Sequence, residues 1–71
     1  MWVFNKKENL GVNLSRFDTI YALDDNSIMV SRIECDEDYR EVRARIKAFN
    51  NKADAEKYIA ELVEKLNVEK N

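Results

Sequence analysis

The run YREVRARIKAF, residues 39–49, fits two different periods, and the choice between them decides the fold. Read with alternate residues on opposite faces, Val42, Ala44, Ile46 and Ala48 point to a core while Glu41, Arg43, Arg45 and Lys47 point to water, which describes a strand. Read at 3.6 residues per turn, Tyr39, Val42, Ile46 and Phe49 make an equally good stripe. Asp36 is then a fair N-cap, and the Arg, Glu, Ala and Lys content favours a helix. Two features favour the strand. A helix here would leave only the upstream strands to cover the element that follows, and a fourth strand completes a simple meander with turns at regular intervals. The expected fold is α+β, a four-stranded antiparallel meander with one C-terminal amphipathic helix packed on one face. The alternative is three strands followed by a helical hairpin.

Downstream, Asn51 to Leu66 is the clearest helix. Ala55, Ile59, Leu62 and Leu66 recur at i, i+4, i+7 and i+11, and Tyr58 and Val63 widen the stripe. Asn51 suits the N-cap, with Asp54 three residues on to reach back and to favour the positive end of the helix dipole. Asn67 can take the left-handed conformation that ends the helix, leaving 67–71 as a tail in which Val68 folds back on Val63.

Upstream, three runs read as strands, about 2–5, 10–23 and 27–35, joining 39–49 in one domain over 1–71 with the helix at about 52–66. Asn5 to Asn9 is a polar turn. Leu10, Val12 and Leu14 share one face, and Gly11, the only glycine, suggests a bulge or a close backbone approach. Ser15 to Asp18 interrupts the alternation, so the second strand is bent or broken there. Asp24-Asp25-Asn26-Ser27 and Asp36-Glu37-Asp38 are turns by composition. In the third strand Ile28 and Val30 share one face, and Met29, Ile33 and Cys35 the other.

Seventy-one residues allow a single small core, which supplies little stability unaided. One cysteine forms no disulfide within the chain, and with no histidine there is no tetrahedral zinc site. A lone thiol and no apolar run long enough to span a bilayer point to a reducing, cytoplasmic location without a membrane. A net charge of −2 with both signs interspersed gives no global attraction to nucleic acid.

The opening MWVFNKKENLGVNLSRFDTI and the later KAFNNKADAEKYIAELVEKL resemble a family of small uncharacterised bacterial and phage proteins. These open with Met-Trp and a β-branched residue, continue through a Lys/Asp turn into a Leu-x-Val-Asn-Leu-like strand, and end with an aromatic residue, a cap and an Ala-containing amphipathic helix. The likeness implies a strand over Tyr39 to Phe49, with Phe49 in the aromatic position before the cap. It implies no activity. The charge-rich REVRARIK run is more basic than the pattern.

No catalytic, metal or cofactor constellation emerges, and no small-molecule substrate is indicated. The carboxylates at 24–25 and 36–38 fall at opposite ends of the third strand, where solvated turns are the plainer reading. Cys35 lacks a histidine to activate it and reads as a partly buried core thiol. Trp2, Phe4, Phe17 and Tyr21 could form a stacking platform, but aromatics in a small sheet more often fill the core. Arg43, Arg45 and Lys47, joined by Arg32 and Arg40, would form a cationic ridge on a strand, unless paired across strands with Glu34 or Glu41. The expected role is a small interaction or accessory module of phage or prophage origin. It would be a homodimer or bind a protein partner through Met29, Ile33 and Cys35, which one helix cannot cover. The alternative is a weak nucleic-acid binder using Arg43, Arg45 and Lys47.

Overall fold

A computed structural model of the chain describes residues 1–35 and 39–70. In order, these form β1 (Trp2–Asn5), β2 (Leu10–Asn13), one turn of 3-10 helix (Leu14–Arg16), β3 (Thr19–Ala22), β4 (Ser27–Cys35), β5 (Tyr39–Ala48) and α1 (Lys52–Lys70). The fold is α+β, with antiparallel strands and one C-terminal helix. The ambiguous run is thus a strand, and the alternative of three strands with a helical hairpin is not adopted. The turn expected at Asp36-Glu37-Asp38 lies outside the described residues.

The strand expected over 10–23 is broken at the foreseen place, and the break divides the sheet in two. Asn13 is responsible: its Oδ1 accepts the Ser15 backbone N–H at 3.2 Å and the Ser15 hydroxyl at 2.8 Å. Those bonds replace ladder partners and curl Leu14–Arg16 into a turn. β1 and β2 therefore pair as a hairpin, while β3, β4 and β5 make a separate three-stranded sheet in that order. A single four-stranded sheet does not form.

The register between β4 and β5 slips once. Ile28 faces Lys47 and Met29 faces Arg45, so Ile46 is an extra residue on β5, a β-bulge. Ile46 is 1% exposed, against Ile28 and Val30 on the same inner face of the sheet, both fully buried. Beyond the bulge the alternation is reset. Ala48, expected in the core, is exposed, and Phe49 packs on the core instead.

The inner face of this sheet, the N-terminal hairpin and α1 close around one core of Val12, Leu14, Ile28, Val30, Ile46, Ala55 and Leu62. Asn5 ties the hairpin down. It is buried, its Nδ2 donates to the Arg45 carbonyl at 3.1 Å, and its Oδ1 accepts the Glu8 N–H at 3.3 Å. Both ends of a buried amide are thereby satisfied. Just past the same end of β5, the Asn26 carbonyl accepts the Phe49 N–H at 3.1 Å. Asn26 itself sits at φ 65°, the left-handed region that asparagine tolerates, as the composition of its turn implies.

The helix starts as the sequence indicates. Asn51 Oδ1 accepts the Asp54 N–H at 2.8 Å, and the Asp54 carboxylate accepts from Asn51 Nδ2 at 3.0 Å, a reciprocal cap. Ala55 and Leu62 are buried, and Tyr58, Ile59 and Leu66 pack beside them. Two expectations fail. Val63 is 42% exposed and does not pack on the core with the stripe, and the helix does not end at Asn67 but runs on to Lys70, leaving Val68 exposed. No glycine or proline follows Leu66, so nothing forces a left-handed residue there.

Candidate functional site

Alternation from the core residues assigns each candidate side chain to a face. Arg32, Glu34 and Arg40 continue the inner row of Ile28 and Val30 beyond the end of the core. The Arg32 guanidinium lies 5.5 Å from the Phe17 ring and bonds Glu34 at 2.7 Å, while Arg40 takes the other Glu34 oxygen at 3.1 Å. Arg43 and Arg45 are on the outer face, held by Glu41 at 3.6 Å and by Glu8 of the hairpin turn at 3.2 Å. Lys47 is set apart from them by the bulge. Its ammonium sits 5.7 Å from the Phe49 ring and 5.8 Å from that of Tyr58, at the start of the helix.

The five cations are consequently not brought together. The expected Arg43–Arg45–Lys47 ridge is broken because an extra residue at Ile46 reverses the parity of everything after it. The four arginines are paired with carboxylates, Arg32 and Arg43 within their own strands and Arg40 and Arg45 between elements, and the exposed pairs contribute about 0–1 kcal/mol each.

The residues expected to support self-association do share one surface. Met29, Ile33 and Cys35 lie on the outer face of β4, with Tyr21 opposite Met29 and Tyr39 opposite Cys35. Met29 is half-buried by its neighbours, Ile33 is 54% exposed and Tyr39 is 85% exposed. Cys35 is exposed rather than a core thiol, because it lies past the last residue of β4 that β3 covers.

A second surface was only dimly legible. Val3 pairs with Val12 on the inner side of the hairpin, which sends Trp2 and Phe4 outward, 71% and 59% exposed. Phe17 and Tyr21 are half-buried, so the four aromatics do not act as one platform. Gly11 is opposite Phe4 in a continuous ladder with no bulge, and the Trp2 indole lies 3.8 Å from where a Cβ on Gly11 would stand. Beside Phe4, between the hairpin turn and the end of β5, runs a groove of about 600 Å³ bordered by Lys6, Lys7, Lys47 and Phe49. Asp25 lies on its rim, where the Ser27 backbone N–H, donating at 3.0 Å, holds the carboxyl below its ordinary value. Lys6 and Lys7 read in the sequence only as a polar turn. The signal for the surface was the alternation of Trp2, Val3 and Phe4, which sets the two aromatics together on the face opposite Val3.

Among the described residues, no helix is long and apolar enough to cross a membrane. No family model, curated protein or solved structure matches the chain.

Proposed function

We propose that the protein is a small intracellular interaction module that self-associates through the outer face of its three-stranded sheet. The supporting observation is that Met29, Ile33 and Cys35 form a row with Tyr39 on the side away from the helix, Ile33 more than half exposed. A second copy is the occupant because the face complements itself. Arg43 and Glu41 flank the row on the neighbouring strand, so a two-fold axis near Ile33 stacks apolar row on apolar row and sets each copy's cation toward the other's carboxylate. The size of the face sets the strength. Nine residues of β4 and three strands span about 30 by 14 Å, the small end of specific interfaces, which makes a weak dimer.

Sedimentation equilibrium over a wide concentration range tests this. The mass rises toward twice the monomer, and Ile33→Lys abolishes the rise while the far-UV spectrum stays unchanged. A strictly monomeric mass at the highest concentration rejects the proposal.

A further inference from the structure

We propose that the Trp2–Phe4 side of the N-terminal hairpin and the lysine-bordered groove beside it bind single-stranded nucleic acid. This site is distinct from the apolar row on the sheet face, and the strand arginine at its border, Arg45, is paired with Glu8.

Trp2 and Phe4 project from one side of β1, two residues and about 7 Å apart. Each ring keeps most of its surface open, so each can take the face of one unstacked base. The indole is not adrift. Two atoms of its six-membered ring lie 3.8 and 4.0 Å from where a Cβ on Gly11 would stand, beside the one position on the paired strand that presents no side chain. The chain then leads from the aromatics directly into Lys6 and Lys7, with Lys47 across the groove.

Charge selects the ligand. The groove borders four cations, Lys6, Lys7, Arg45 and Lys47, against two carboxylates, Glu8 and Asp25, a local +2 on a chain of net −2. Both carboxylates are engaged, Glu8 by Arg45 and Asp25 by the Ser27 N–H. Among the described residues Lys6 and Lys7 pair with no carboxylate, so their charge is free to meet phosphates. Open aromatic faces beside uncompensated lysines suit a strand whose bases are unpaired. A duplex keeps its bases stacked on one another and offers the rings nothing.

Trp2 is the only tryptophan, so its emission reports this site alone. The protein is titrated with a short oligothymidylate, and separately with duplex DNA, anionic phospholipid vesicles and inorganic polyphosphate. Oligothymidylate quenches Trp2 saturably, and with three phosphate contacts its Kd rises about 20-fold between 50 and 200 mM salt. Phe4→Ala weakens binding by about 5- to 150-fold through the loss of one stacked base. Lys6→Glu with Lys7→Glu abolishes binding, and Arg43→Glu on the sheet face leaves it unchanged. Phe4 is exposed, so its variant keeps the fold, and far-UV circular dichroism verifies this. No quenching by oligothymidylate at the lowest salt overturns the proposal. So does oligonucleotide binding that survives Phe4→Ala, which is charge without stacking, or a Trp2 response to the vesicles or polyphosphate that equals or exceeds the response to the oligonucleotide.

Discussion

The bulge at Ile46 makes a prediction that plain strand alternation would reverse. Ile46 is 1% exposed, so Ile46→Ala removes three buried carbons, about 2.4 kcal/mol of transfer at about 0.8 per methylene, and adds a cavity. The expected loss is about 2–5 kcal/mol. A chain of this length holds about 4–10 kcal/mol in all, so the variant gives up a fifth of its stability at least. Ile46→Val, which keeps two of the three carbons, loses about 0.5–1.5 kcal/mol. The discriminating member of the series is Ala48→Gln. Alternation places Ala48 in the core beside Ile46, whereas the bulge leaves it exposed, so the substitution costs less than about 0.5 kcal/mol. Phe49→Ala takes over the cost, about 2–3 kcal/mol from a half-buried ring that also tilts against Tyr58 at 5.3 Å. Urea melts read all four. With a slope near 1 kcal/mol per molar, Ile46→Ala moves the midpoint by about 2–5 M and Ala48→Gln by less than about 0.5 M. Equal damage at Ile46 and Ala48, with Phe49→Ala harmless, would mean the ladder runs without a bulge.

Four further outcomes are expected. Gly11→Ala raises stability by about 0.5–1 kcal/mol, because Gly11 has no positive φ and an added methyl meets the Trp2 ring at ordinary contact distance; a lower Tm refutes this. Asp25 has its carboxyl lowered chiefly by the Ser27 backbone N–H, so its contribution is present above the unfolded pKa and is lost as pH falls through the folded one. Acid melts of Asp25→Asn should therefore be flatter than the parent's below about pH 4, and parallel curves would reject the role. Tyr58 has its hydroxyl pushed up by burial, so the stability it contributes is present below the unfolded pKa and disappears as pH rises past about 10; Tyr58→Phe should lose less stability on that alkaline limb. Leu62→Ala costs about 2–5 kcal/mol in a thermal melt while Glu61→Ala, on the exposed side of the helix, stays within about 0.5, and equal effects would mean the helix is turned the other way.

What could be read from the sequence was whatever a single element decides for itself. The reciprocal Asn51–Asp54 cap is local chemistry, and so is the left-handed Asn26. Ile28 and Val30 fall inside because period-2 alternation carries through β4 without interruption. The failures occur where two elements negotiate. REVRARIKAF carries no mark of a bulge, since the extra residue exists only relative to β4, and with it went the ridge of cations and the placement of Ala48. Hydrophobicity assigns the aromatic run Trp2-Val3-Phe4 to the core, but a two-stranded hairpin has only one buried side, and the valine pair Val3–Val12 takes it. The break at Ser15–Asp18 was visible. Its splitting of the strands into separate sheets depended on Asn13 turning its side chain onto the backbone of Ser15.

The bond from Asn5 to Arg45 joins residues 40 apart in the chain, and this separation has a temporal meaning. The hairpin of β1 and β2 is local and can close as soon as its own residues are made, yet its anchor does not exist until Arg45 follows. Through that interval Val3 and Val12 have no surface to rest on. Docking of the hairpin closes a long loop, so it is expected to follow the more local pairing of β4 with β5. Removing the Asn5 amide should hasten unfolding and leave the refolding rate nearly untouched. Amides of β1 and β2 would then exchange with solvent through an opening that spares β4, a local detachment of the hairpin from an otherwise intact body.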